Sequence, residues 1–212
     1  MRRITTSLAM LAVVVSLLVS GNAEANHRGY GYTTSGGGST AQPYVGFSGL
    51  GTGVVSQVGG VEYMASGGGA SIWGGVRVGP MVALELNYTG SLHNPTTACE
   101  VGYYYDLCSA NYLVLDMLSA DLKLHLPTRS NFDPFLQAGL LAGWVGREGF
   151  APDAKGGGFD VGAGFDLWLN PWWTLGVRGL YRGMKLSDYA GDNGTGMFLS
   201  VITGEVGLAV HF

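Results

Sequence analysis

Few residues in this sequence have the type and spacing to do chemistry. Cys99 and Cys108 flank a short polar and aromatic stretch, Glu100 to Leu107, and can reach each other across one loop. In an oxidising compartment the pair reads as a disulfide, which would contribute at most about 2 to 3 kcal/mol for so short a loop. Two thiolates could instead hold a metal, but the CxxC spacing and further ligands of a zinc site are missing. Tyr103, Tyr104 and Tyr105 lie between the cysteines. A constrained aromatic loop of this kind reads either as a binding anchor, because rigid tyrosines cover area at low entropic cost, or as packing on the structure beneath it.

Hydrolytic chemistry would need a nucleophile with a positioned base. Ser91 and His93 are the only close pair of that kind, and His93 is expected to be a solvated loop residue. His125 and His211 could share a metal, but a structural zinc needs four good ligands, so hydrogen-bonded packing is expected for both. Ser187 to Gly194 lacks the alternating ligand positions and distal Glu of a calcium loop and reads as an exposed turn. Neither a P-loop nor a GxGxxG occurs. The sequence is therefore read as a non-enzyme without a cofactor or metal.

The elements that position these residues are written in the composition. Of 212 residues, 37 are glycine and 12% are charged, against roughly 25% charged and about 7% glycine in ordinary domains. Five Trp, 11 Tyr and 8 Phe argue against disorder, and a net charge of −4 argues against a nucleic-acid partner. Residues 1–25 read as a secretory signal: Arg2 and Arg3, an apolar run from Leu8 to Ser20 too short to span a bilayer, then Ala23-Glu24-Ala25. Residues 26–42 are rich in Gly, Ser and Thr and read as a flexible linker.

From residue 43 to 212 the dominant pattern is period two. Eight stretches show it: about Tyr44–Gly51, Ala70–Gly79, Met81–Tyr88, Tyr112–Leu126, Pro134–Gly146, Gly158–Leu169, Trp172–Met184 and Phe198–Phe212. In the last, Ile202, Val206, Leu208, Val210 and Phe212 share one parity, and Thr203, Glu205, Gly207, Ala209 and His211 the other. A soluble sandwich buries its apolar set, whereas a membrane barrel turns it to lipid.

Three features favour the barrel. Short connections at Gly79-Pro80, Pro127–Asp133 and Asn170-Pro171 alternate with longer ones, as in outer-membrane barrels. Aromatics gather in two groups expected to be interfacial belts: Tyr44, Phe135, Trp172, Trp173 and Phe212 at the short-turn end, and Tyr88, Tyr112, Trp144, Phe159 and Tyr181 at the other. Gly162, Gly164, Gly176 and Gly207 fall on the parity opposite the large apolar residues, where a narrow interior needs small side chains.

With these features the sequence resembles the small eight-stranded outer-membrane β-barrel proteins of the OmpA/OmpX type, over about Tyr44 to Phe212. Val206 to Phe212 resembles their C-terminal targeting strand with its terminal Phe. The resemblance implies an all-β, eight-stranded antiparallel up-and-down transmembrane barrel in the outer membrane of a Gram-negative-type cell. It also implies contact with outer-membrane lipid and lipopolysaccharide, and recognition of Phe212 by the barrel-assembly machinery. Known barrel deacylases of this class resemble a His-x-Ser order on a strand, and this chain has no such triplet. The expected role is structural or surface-interacting, toward an unidentified ligand, through the Cys99–Cys108 loop. A small channel, or less readily lipid A chemistry, are the alternatives.

Inward parity collects Glu85, Asp121, Asp160, Asp166 and Glu205 against Arg77, Lys123, Arg178 and Arg182. Charge is expensive in a poorly hydrated interior, so these groups are expected to be matched side by side. Strand counting sets Arg178 opposite Glu205, Arg182 opposite Asp160, and Asp166 diagonal to Arg178.

Overall fold

Period-two sequence with turn residues between the runs closes into one sheet. The computed structural model describes residues 41–58, 64–95, 112–126, 128, 130–147, 152–187 and 197–212. The strands are β1 (Ala41–Val58), β2 (Met64–Val78), β3 (Val82–Pro95), β4 (Leu113–His125), β5 (Phe132–Arg147), β6 (Pro152–Trp168), β7 (Trp173–Ser187) and β8 (Met197–His211). Each pairs antiparallel with its sequence neighbour, and β8 pairs with β1 to close the barrel. Closure removes every strand edge, so the backbone hydrogen bonds are made internally, which a bilayer requires.

The short connections lie at one end. Gly79 adopts φ 67°, the left-handed conformation that the turn between β2 and β3 needs and glycine supplies without strain. The Asn170 side-chain oxygen accepts from the Trp172 and Trp173 amides at 2.9 and 3.0 Å and caps the turn before β7.

The outward face of the lower barrel is aliphatic. Leu84 is 58% and Leu140 74% exposed, and Leu122, Ile202 and Val206 are exposed with them. Exposure on this scale is what a lipid-facing wall requires. β1 starts at Ala41, within the stretch expected as linker. At the other end, β1 runs on to Val58, β3 to Pro95 and β7 to Ser187, and β2 and β6 start at Met64 and Pro152, well inside the connections expected from the sequence. Alternation is lost there for two reasons. Runs such as Gly67–Gly69 and Gly156–Gly158 carry no side chain to mark a face. In addition, the polarity of the inward face changes.

That change is a correction to the expectation of a small, polar or charged inward set throughout. At the long-loop end the inward residues form an apolar core that includes Met64, Leu113, Leu115, Met117, Met184, Leu199 and Val201. The outward positions at that level include Asp116, Lys155 and Lys185, and both lysines are exposed. The interior of the barrel is thus ionic below and apolar above, while charged residues join exposed Leu92 and Phe198 on the outward face.

Candidate functional site

The inward side chains of the lower barrel form one ionic network. Register places Arg178 on β7 opposite Glu205 on β8. The Arg178 Nε donates to Glu205 Oε2 at 2.8 Å, and Nη2 lies 2.7 Å from the same oxygen. Its Nη1 crosses the lumen to Glu85 Oε1 on β3 at 2.6 Å. Glu85 also pairs with Lys123 at 2.6 Å and accepts from the Tyr44 hydroxyl at 3.0 Å. Glu205 accepts from Ser48 and Ser71 at 3.1 and 3.0 Å, and from Arg182 Nη2 at 3.2 Å. These groups are buried, so each charge is retained by its partners rather than by water.

Aromatic rings fill the space between the ions. The Arg178 guanidinium lies 4.5 Å from the Trp73 ring centroid, and the Lys123 ammonium 4.6 Å from that of Phe135. A Cβ on Gly207 would stand 2.7 Å from the Trp73 ring, and one on Gly164 2.7 Å from Phe135. Gly162 likewise adjoins Leu180, and Gly176 faces Asp166. The strand glycines on this parity therefore accommodate large side chains from the neighbouring strands or, with Trp73, from the next strand but one. Tyr44 and Phe135 are themselves buried inside, which corrects their assignment to the short-turn aromatic belt. Their parity is that of His125 and Glu85, not that of the lipid wall.

A second layer closes the short-turn end. Arg77 Nη1 meets Asp133 Oδ2 at 2.5 Å across the barrel, with His125 Nδ1 3.3 Å from the same oxygen. Asp133 was missed from the sequence because it stands beside the turn residues, although counting back in twos from Gln137 places it inward. His211 shares a 3.0 Å hydrogen bond with Thr174 and packs on Tyr44 and Trp168.

The expected matches differ in closeness. Asp160 is opposite Arg182 in register and makes a long ion pair with it, 3.9 Å from Nε to Oδ2. Asp121 faces Glu85 and Gly139, and accepts from Ser119 at 2.9 Å and Gln137 at 2.8 Å rather than from a cation. Asp166 pairs in register with Gly176, diagonal to Arg178, and is half-buried. Side-by-side matching thus holds closely for Arg178 and Glu205, more loosely for Arg182 and Asp160, and is replaced by neutral donors at Asp121. A polar amide or hydroxyl solvates a buried carboxylate where no base is in reach.

His93 is not a solvated loop residue. It lies on β3, fully buried, with Nε2 2.9 Å from Ser91 Oγ and Nδ1 2.8 Å from the Ala65 carbonyl oxygen. Both ring nitrogens are engaged, and no carboxylate orients the ring among these contacts. Phe212 follows β8 on the outward parity, half exposed, and its amide donates to the Pro43 carbonyl at 2.9 Å. Cys99, Cys108, Tyr103, Tyr104 and Tyr105 lie outside the described residues, as do residues 1–40.

Fold and lumen together define a small eight-stranded barrel of the outer-membrane type. Among solved structures the chain is similar to Neisserial surface protein A, with TM-score 0.60 and 19% identity, covering 80% of this chain and 97% of that one. It is also similar to the outer membrane protein OprG of Pseudomonas aeruginosa, with TM-score 0.55 and 10% identity over 82% and 97% of the two chains. Ail, the attachment invasion locus protein of Yersinia pestis, matches with TM-score 0.50 and 9% identity over 81% and 98%. The solved barrels it resembles are outer membrane proteins, and the likeness is one of fold. No protein-family model and no curated protein matches the sequence.

Proposed function

We propose that this chain is a sealed outer-membrane barrel that acts as a rigid scaffold for its external connections and does not conduct. The observation that carries this reading is Arg178, which joins Glu205 on its own side of the lumen to Glu85 on the far side. The guanidinium spans the lumen at that height and packs on the Trp73 ring, which supports a filled interior. One small cavity beside it, lined by Trp73, Lys123, Phe135 and Glu205 among others, is about 10 Å³, room for a single water. The apolar core above adds a second barrier, because a dry stack of Leu, Met and Val opposes ions and water.

The segment between Cys99 and Cys108 is the proposed contact region, toward a surface ligand of unknown identity. Phe212 is the proposed signal for barrel assembly. The Ala65 carbonyl holds the His93 ring toward Ser91, but both side chains are buried away from solvent and no carboxylate is among their contacts, so a structural role is assigned to the pair. Single-channel recording of the purified chain in a planar bilayer tests the reading. No steady conductance is expected, and a stable open state at neutral pH would replace the scaffold by a channel.

A further inference from the structure

The inner wall of the lower barrel carries more acid than base. Among the described residues, Glu85, Asp121, Asp160 and Glu205 meet three permanent cations in this layer, Lys123, Arg178 and Arg182. Arg77, His125, Asp133 and Asp166 belong to the level of the short turns, where Asp133 pairs in register with Asp166. Glu85 and Glu205 take up Lys123 and Arg178, and Arg182 donates to Glu205 and Thr203 at 3.2 Å each. One negative charge is left over, in an interior where an unbalanced charge is expensive.

The excess sits between Asp121 and Asp160. Asp121 on β4 pairs with Gly139 on β5, which pairs in turn with Asp160 on β6, so the two carboxyls flank a residue without a side chain. A Cβ on Gly139 would fall against Asp121 Oδ1 and stand 2.8 Å from Asp160 Oδ1. The two groups lie within hydrogen-bonding reach of each other. Both are buried, Asp160 fully. Yet Asp121 Oδ1 and both oxygens of Asp160 receive no hydrogen bond from the described residues, and the Arg182 ion pair to Asp160 is long. Ionised carboxylates only accept, so facing oxygens with no donor between them repel. The missing donor is a proton.

We propose that Asp121 and Asp160 hold one proton in common across Gly139, taken up from solution as the barrel folds. One carboxyl then donates to the other carboxylate, the proton belongs to the pair, and the layer is electrically balanced. Asp121 Oδ2 already accepts from Ser119 and Gln137, which suits Asp121 to be the ionised member. The charged groups around the pair are Glu85 on β3, Lys123 on β4, Arg178 and Arg182 on β7, and Glu205 on β8, while β5 adds the neutral Gly139 and Gln137. Release of the proton sets two like charges on either side of Gly139, so the folded barrel loosens in alkali. The inference goes beyond the scaffold reading and is independent of whether the lumen conducts.

The test is the folding equilibrium of the full chain in urea with phosphatidylcholine vesicles, followed from neutral to alkaline pH for wild type, D121N and D160N. Both acids are ionised in the unfolded chain, so folding of the wild type takes up a proton. Its folding constant is expected to fall more steeply than that of either variant, by about tenfold per pH unit. An asparagine supplies the donor and has no proton to release. Equal slopes in the three chains would overturn the shared proton. A dependence on sodium or calcium in place of pH would assign the gap to a cation and overturn it as well. Infrared spectroscopy keeps the proposal testable if a variant fails to fold. Folded wild type is expected to show the carbonyl stretch of a protonated carboxyl at neutral pH and to lose it in alkali, and absence of that band at neutral pH would sink the assignment.

Discussion

Arg178 and Glu205 face each other across β7 and β8 and share two contacts, 2.8 Å from Nε and 2.7 Å from Nη2 to one carboxylate oxygen. The same guanidinium holds Glu85 on the opposite wall. Removing the arginine therefore leaves two buried acids without their shared cation. Breaking a buried pair in this way costs about 3 to 5 kcal/mol. R178L is expected to unfold at lower urea than wild type in lipid vesicles, or to admit water and conduct in a planar bilayer. Wild-type stability together with wild-type silence would refute the network's role.

The lipid face gives a separate prediction. Leu122 is exposed on β4, between the inward Asp121 and Lys123. An arginine there is placed in hydrocarbon, at a cost of about 2 to 4 kcal/mol near the midplane. L122R is expected to fold into vesicles with a correspondingly smaller free energy, measured by tryptophan fluorescence in urea. An unchanged value would mean that the faces are reversed.

The apolar core at the long-loop end should behave like a soluble protein interior. Leu115 is fully buried among the apolar side chains of neighbouring strands. L115A is expected to lose about 2 to 5 kcal/mol. If the core were instead open to water, the loss would shrink toward zero. Urea melts of the two chains under the same lipid conditions decide it.

Cys99 and Cys108 are expected to be joined. Mass spectrometry after alkylation, on protein extracted without reductant, should find neither cysteine alkylated. Two alkylated cysteines would remove the constrained-loop argument and with it the proposed contact region.

Much of this barrel was legible in the chain itself. The parities of Leu84, Leu122 and Val206 against Glu85, Asp121 and Glu205 follow from the backbone pleat, which turns alternate side chains to opposite faces whatever lies beyond the strand. Antiparallel pairing about a short turn then sets register, so Arg178 opposite Glu205 could be counted from the sequence. Only closure could decide the rest. The contact of Arg178 with Glu85 joins β7 to β3, strands that are not neighbours in the sheet, and no counting along a hairpin reaches across a lumen. Tyr44 and Phe135 show the same limit, since an aromatic residue suits a membrane interface as well as a crowded interior, and three-dimensional crowding chose the interior. His93, expected in a loop, lies on β3 because that strand pairs with the glycine-rich start of β2, and neither the glycines there nor the small Thr89, Gly90 and Ser91 before His93 show the apolar alternation that reveals a strand. The inward face turns from ionic to apolar at Leu113, Leu115 and Met117, at the level where the outward face mixes Asp116, Lys155 and Lys185 with exposed Leu92 and Phe198. The height at which that happens is a property of the assembled barrel rather than of any one strand, because side chains from several strands together fill the interior.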